Sequence, residues 1–214
     1  MENGVFSQPD VSSNDTKKKL KKMKIKPYFI LLLIFSLNNL YSQSDNIEIY
    51  NEMFKWKFSV PNYFENVSPR EAEKNQENGK EIIENKIGQE IVNKSVKIYG
   101  FKSGNYNQLI VNYQITKSEE NYTERFKQVS ELLYESFKEK LPNAEITRLY
   151  SSEIISNINF EVFEMHISSS NIKMNMKCYS TIINGKILNI QIGYQDEEKG
   201  KSLISSIQKS TFNE

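Results

Sequence analysis

The chain has 214 residues, with 28 lysine and arginine against 27 aspartate and glutamate side chains, which gives a formal net charge of +1. The length fits one domain with an appendage, and 12 tyrosines and 12 phenylalanines are typical of a packed core rather than a disordered chain. After its first segment the chain has no basic block, so its charge gives no reason to bind nucleic acid or anionic lipid.

The first 42 residues have the pattern of an N-terminal extension followed by a secretory signal peptide. Residues 17–26 are basic, residues 28–37 are apolar, and Ser42 is the small residue that ends the polar stretch after them. The apolar run is about half of the roughly twenty residues that span a bilayer, so an uncleaved membrane anchor is the weaker interpretation. Met23 begins a more conventional signal and is an alternative start.

Cleavage near Ser42 predicts an exported protein, periplasmic or extracellular, whose single domain covers residues 43–214. Cys178 is the only cysteine, so the domain has no intramolecular disulfide. We interpret Cys178 as a small buried apolar side chain rather than a reactive thiol.

The first strand patterns lie at residues 47–49 and 54–60. In the second, every other side chain is apolar, which is the period of a strand with one face on a core. Pro61 ends this strand because it has no amide hydrogen to donate. The predicted buried row is Phe54, Trp56, Phe58 and Val60.

Residues 68–92 form a very polar segment, which we predict to be a partly helical insertion over one end of the sheet. Ser68 suits the helix cap and Pro69 the first helical position. Gly79 and Gly88 each weaken a continuous helix by ~1 kcal/mol. The segment carries more charge than a packed element needs, so we expect it to bind a partner.

Two strands, residues 95–101 and 108–116, come next, and in the second Leu109, Val111, Tyr113 and Ile115 share a face. The clearest helix follows at residues 121–141, where apolar side chains recur with a 3.6-residue period. Asn121 and Glu124 have the spacing of a capping box, and Pro142 ends the helix. The predicted buried stripe is Tyr122, Phe126, Val129, Leu133, Phe137 and Leu141.

Two further strands are predicted at residues 144–155 and 158–167. In the second, the apolar side switches between Val162 and Phe163, which indicates either a bulge or a strand covered on both faces. Asp196 is expected to cap a last helix with Leu203, Ile204 and Ile207 on its buried side, and Phe212 anchors the chain beyond it.

Residues 172–194 have the clearest hairpin pattern, with Asn184-Gly185 between two alternating arms. The apolar rows of the two arms share a face only if the loop has three residues. We therefore predict a three-residue loop over residues 183–185, with Gly185 in the left-handed conformation. A two-residue turn requires both sheet faces to be covered. Together the elements predict an α+β fold, with helices packed on a twisted, mainly antiparallel sheet.

The sequence shows no catalytic, cofactor-binding or metal-binding motif, so we expect a non-catalytic protein without a cofactor. His166 is the only histidine, and no serine or cysteine motif accompanies it. Glu161 and Glu164 share a strand but point to opposite faces, so they do not form an acid–base pair. The acidic residues 196–198 are explained by the start of a helix.

The order of elements resembles that of the PsbP-like and DcrB-like superfamily over residues 54–212. The resemblance rests on Val60-Pro61 at a strand end, the Tyr63-Phe64 pair, the mid-chain helix, INGKILNIQIGY at residues 183–194, and a final acidic-started helix with LISSIQ. It implies an α/β/α sandwich. It also implies a non-catalytic interaction module, since members include extrinsic subunits of a photosynthetic complex, a nuclear-transport cofactor, bacterial envelope proteins and secretion chaperones. It carries over no catalytic residue.

We therefore predict an exported interaction module that is monomeric or weakly associating and binds another envelope or secreted protein. Two alternatives stay open. One is a carrier that holds a small apolar ligand between sheet and helix, and the other is a hydrolase with dispersed catalytic residues.

Overall fold

The computed structural model describes residues 46–68, 94–170 and 173–213, together with single positions at 70, 71, 73, 74, 77, 80, 84 and 88. The predicted signal peptide at residues 1–42 and most of the predicted insertion at residues 68–92 lie outside the described residues. Within the described part, no helix is both long enough and apolar enough to span a membrane.

Ten strands and two helices have defined bounds in the described residues. The strands are β1 (Ile47–Asn51), β2 (Trp56–Val60), β3 (Glu65–Asn66), β4 (Val96–Ser103), β5 (Asn107–Ile115), β6 (Glu145–Ile155), β7 (Ile158–Ser168), β8 (Lys173–Ile183), β9 (Lys186–Tyr194) and β10 (Thr211–Phe212). The helices are α1 (Tyr122–Lys140), between β5 and β6, and α2 (Glu197–Gln208), between β9 and β10.

The strands form two antiparallel sheets. The larger has seven strands in the order β3-β4-β5-β9-β8-β7-β6, and the smaller has three in the order β1-β2-β10. Helix α1 covers one face of the larger sheet over β6, β7 and β8. The smaller sheet and α2 cover the opposite face. The predicted α+β fold, with helices packed on an antiparallel sheet, is confirmed.

Two apolar cores follow from this layering. The larger core lies between the two sheets and α2, and it contains the predicted row Phe54, Trp56, Phe58 and Val60, with Leu203 and Ile207 from α2. The second core lies under α1, where Phe163, Met165 and Ile167 meet the helix. The register of β6 and β7 runs without a shift, so the switch at Val162 and Phe163 reflects a strand covered on both faces rather than a bulge.

The predicted three-residue loop of the hairpin is wrong. Ile183 pairs with Lys186 and Thr181 with Leu188, so only Asn184 and Gly185 form the turn. The two apolar rows of β8 and β9 therefore lie on opposite faces, and each meets one of the two cores. The condition for a two-residue turn, a sheet covered on both faces, is met.

The helix caps differ from each other. Asn121 has a left-handed backbone (φ 55°) and its side chain makes no cap hydrogen bond, so the predicted capping box is wrong. A capping side chain reaches the first-turn amides from an extended backbone, which Asn121 does not have. Asp196 has that backbone and accepts hydrogen bonds from the amides of Glu198 and Lys199, as predicted.

One detail of the predicted mid-chain helix also differs, whereas the predicted cap at Ser68 is present. Val129 is exposed, whereas Tyr134 is buried against the sheet in its place. Ser68 accepts a hydrogen bond from the amide of Glu71 at 3.3 Å, as a cap would. Lys102 on β4 binds the Glu71 carboxylate at 2.7 Å, so the start of the polar segment contacts the larger sheet.

Candidate functional site

An open cleft of about 410 Å³ lies beside the first turn of α1. Its lining is largely polar. The residues that line it are Glu119, Asn121, Tyr122 and Thr123 from the start of α1, and Asn159, Glu161, Thr181 and Ile182 from β7 and β8. A small apolar ligand would find few matching side chains on these walls.

The ionisable groups of the cleft are not arranged for acid–base catalysis. Thr123 donates a hydrogen bond to the Glu161 carboxylate at 2.8 Å. Burial raises the pKa of Tyr122 to about 12, so its hydroxyl stays protonated at neutral pH and does not act as a base. Glu164 lies on the other face of β7 and pairs with Lys177, so it does not join Glu161.

His166 is exposed near the end of β7 that lies beside α2. Its Nδ1 lies 2.7 Å from the Oδ1 of Asn175, and the Nδ2 of Asn175 donates to Glu197 at 3.1 Å. The hydrogen-bond partner of the ring is thus the side-chain amide of Asn175 rather than a hydroxyl or a thiol. The pair of His166 and Asn175 therefore lacks the nucleophile that a catalytic triad needs.

Lys177 on β8 is the most enclosed charged side chain of this face, with 11% of its side chain exposed. Its Nζ donates to Glu153 at 2.6 Å and to Glu164 at 2.9 Å. Burial alone would lower the pKa of Lys177, but the hydrogen bonds that it donates to the two carboxylates outweigh this effect and raise the pKa. A lysine held protonated is a structural cation rather than a nucleophile or base.

Cys178, predicted to be a small buried apolar side chain, is partly buried and packs against the core under α1. Burial raises the pKa of its thiol to about 12. The thiolate, which is the reactive form, is therefore scarce at neutral pH. Within the described residues, no group of three or more histidine, cysteine or carboxylate side chains is arranged to hold a metal ion.

The exposed apolar side chains offer a different kind of site. Val96 on β4 pairs with Tyr113 on β5, and Ile115 lies two residues further along β5 on the same face. Half of the Val96 surface (50%) and most of the Ile115 surface (73%) are exposed. We call these three residues the rim patch. The sequence shows Tyr113 and Ile115 in one apolar row with Leu109 and Val111, but only the structure shows that the row leaves the core at its end.

No protein-family model matches the chain, and no curated protein matches it. Among solved structures it is similar to the solution structure of cyanobacterial PsbP (CyanoP) from Synechocystis sp. PCC 6803. The TM-score is 0.53 at 10% sequence identity, over 81% of this chain and 95% of that chain. The chain therefore has a PsbP-like fold, and at this identity the similarity extends to the fold alone.

Proposed function

We propose that this protein is an exported, non-catalytic module that binds another envelope or secreted protein. The rim patch carries the proposal, because exposed apolar side chains that adjoin each other on one surface mark interaction sites. Tyr113 is anchored from below by Phe54, whose ring lies edge-on at 6.0 Å. The patch is therefore a fixed surface at the end of a packed sheet, which reduces the entropy lost on binding.

The remaining groups support binding over the two alternatives. Side chains from α1 and β7 fill the space between the helix and the sheet. This packing leaves little room there for an apolar ligand. The cleft beside α1 is polar, and His166 and Lys177 are held in structural hydrogen bonds. Export rests on the N-terminal sequence pattern.

A pull-down with the full chain tests the proposal, using envelope and exported fractions of its own source and native mass spectrometry of the eluate. We expect a stoichiometric protein partner whose capture falls about tenfold or more with Ile115→Lys, because a charge replaces the apolar contact. Val129→Lys is the matched control, since Val129 is also apolar and largely exposed but lies on α1. It should leave capture unchanged.

Two outcomes would contradict this proposal. A small apolar molecule bound to the chain without a protein partner would favour the carrier. Equal capture by Ile115→Lys and Val129→Lys would move the binding surface elsewhere, and deletion of residues 70–92 would then test the polar segment predicted to bind a partner.

A further inference from the structure

Strand β6 is a long strand at the edge of the larger sheet. It pairs with β7 over 11 residues without a register shift, and in the described part of the chain its other side carries no strand. The strand at the opposite edge, β3, has only 2 residues. A long regular edge presents a row of backbone donors and acceptors that can pair with another strand.

The turn between β6 and β7 shows which backbone groups point outward. It consists of Ser156 and Asn157, both with positive φ (49° and 65°), so the flanking Ile155 and Ile158 form a hydrogen-bonded pair. The alternation of an antiparallel ladder then directs the odd-numbered residues of β6 to β7. The even-numbered residues, from 146 to 154, direct their N–H and C=O groups to the outer edge, where the carbonyl of Ile146 accepts a hydrogen bond from the Tyr134 hydroxyl at 3.5 Å.

Edge strands are usually protected by proline, bulges or outward charges, and β6 lacks an effective form of each. It contains no proline, and its ladder has no bulge. Arg148 binds Glu131 of α1 at 2.6 Å and stacks over a tyrosine ring at 3.8 Å. Glu153 binds Lys177 at 2.6 Å. Two of the three charges of β6 are thus neutralised within the same chain, and the third, Glu145, lies at the first residue of the strand.

The edge also exposes apolar side chains on both of its faces. Ile154 is 76% exposed on the α1 side, and Leu149 is exposed on the opposite side. These two side chains expose apolar surface to solvent beside the backbone groups at the edge of β6. An occupant that pairs with the edge would therefore bury side chains as well as satisfy hydrogen bonds.

We propose that two copies of this chain pair β6 to β6, antiparallel and centred on Tyr150, and so form one continuous sheet across the dimer. Two-fold symmetry keeps each face of the sheet on its own side, so only residues of like parity can lie opposite each other. Centred here, the outward-pointing residues of each copy meet those of the other. The opposed residues are Ile146 with Ile154, Arg148 with Ser152, Tyr150 with Tyr150, Leu149 with Ser151, Thr147 with Glu153, and Glu145 with Ile155.

The charge pattern selects this register over its neighbours. An axis at Leu149 would set Glu145 opposite Glu153 of the second copy, and like charges directly opposite are unfavourable. An axis at Ser151 would set both exposed apolar residues opposite charges, Leu149 against Glu153 and Ile154 against Arg148, whereas the axis at Tyr150 sets one apolar residue opposite a charge, Ile155 against Glu145. With the axis at Tyr150, no two like charges face each other and the isoleucines pair. This self-complementarity favours a second copy over an unrelated strand as the occupant.

Sedimentation velocity of the full chain over a concentration series tests the dimer. Ser152→Pro removes an outward N–H while the ladder to β7 stays intact, and Ile154→Lys places a charge where isoleucines would pair. We expect both to raise the dimer dissociation constant by about tenfold or more. Val129→Lys, the same type of change on α1, should alter it by less than about twofold. Any association through residues 1–45 persists in all variants.

Circular dichroism checks that each variant folds. If Ser152→Pro does not fold, Ile154→Lys alone decides the outcome. Three results would overturn the proposal. One is a wild-type chain that stays monomeric up to about 1 mM, where edge pairing of even modest affinity would be populated. The second is a dimer that Ile154→Lys leaves unchanged. The third is a monomeric chain whose edge takes up a strand of another protein, in a complex that Ser152→Pro abolishes.

Discussion

Charged residues inside this fold are held by each other, and the Lys177 cluster with Glu153 and Glu164 is the clearest case. Burial disfavours each charge alone. For Glu153, burial would raise the pKa, but the hydrogen bonds from Lys177 and Gln208 outweigh it and lower the pKa. The three strands β6, β7 and β8 each contribute one member, so the cluster ties them together on the face that α2 covers.

Replacing Glu153 by glutamine should cost about 2 kcal/mol of unfolding free energy at pH 7, since a hydrogen bond to a charged partner is lost. A carboxyl whose pKa is lowered in the folded state stabilises the protein above its unfolded pKa of about 4. That contribution disappears as the pH falls through the folded pKa. Urea unfolding of wild type and Glu153→Gln should therefore differ at pH 7 and converge near pH 2.

Glu48→Gln is the matched control, because Glu48 also pairs with a lysine, Lys57 at 2.9 Å, but is largely exposed. Its unfolding free energy should match that of wild type within about 0.5 kcal/mol at both pH values. A difference between wild type and Glu153→Gln that is the same at both pH values would mean that shape, not charge, is lost.

The sequence could not predict that Lys177 is buried. Strict alternation in β8 placed it on the polar side of the strand, and the prediction took that side as solvent. Helix α2 lies on that side, where its Gln208 donates a hydrogen bond to Glu153, the carboxylate that binds Lys177. Such burial depends on contacts between segments that are distant in the sequence. The alternation of residues within one strand carries no information about these contacts. Cys178, by contrast, packs against the core under α1, on the side of β8 where its local pattern places it.

Among the elements, the β8–β9 hairpin shows how a turn sets the register of the two strands that it joins. Asn184 and Gly185 both have positive φ (50° and 71°), as a two-residue turn between twisted strands requires. A β carbon at Gly185 would meet nothing within 4 Å, so the need for glycine there comes from the backbone alone.

Gly185→Ala should lower the unfolding free energy by about 1 kcal/mol, because alanine is strained at this φ. Gly193→Ala, in the same hairpin, is the control. A β carbon at Gly193 would lie 3.6 Å from Gln108, an ordinary contact, and the backbone there is not left-handed. Urea denaturation should therefore find it within about 0.5 kcal/mol of wild type or more stable. Equal losses in the two variants would argue against this turn geometry.

Nearly every strand and helix was predicted from the sequence. The wrong predictions concern a turn between two strands and the cap of a helix. The strands and helices follow from alternation, helical period and caps, which are local. The hairpin loop was wrong because its length depends on whether a second layer covers the sheet. The capping box at Asn121 was wrong because spacing alone does not fix the backbone angle of the cap.

For the whole molecule, the layer order explains a fold that the sequence predicted only in outline. The α+β fold and its similarity to PsbP could be predicted from the sequence, because the order of strands and helices along the chain is recognisable. The division into two sheets was not, because β10 has only 2 residues and gives no periodic signal. Yet β10 pairs with β2, and Phe212 stacks on Trp56 with ring centres 5.6 Å apart.

Phe212→Ala should shift the emission of Trp56, the only tryptophan, to longer wavelength and lower the unfolding free energy by about 2 kcal/mol. The fully buried indole loses one of its two stacked neighbours and gains contact with water. Tyr63→Ala removes an aromatic ring that lies outside this stack and is partly exposed, and it should leave the emission unchanged. An unshifted spectrum in Phe212→Ala would show that β10 does not cover the indole.

The pairing of β2 with β10 also has a consequence in time. A ribosome adds about 5–20 residues per second, so Trp56 is made on the order of ten seconds before the phenylalanine that covers it. Throughout that interval the aromatic side of β2 has no permanent neighbour on this flank. The layer over the larger core is therefore completed only when synthesis of the chain is nearly finished.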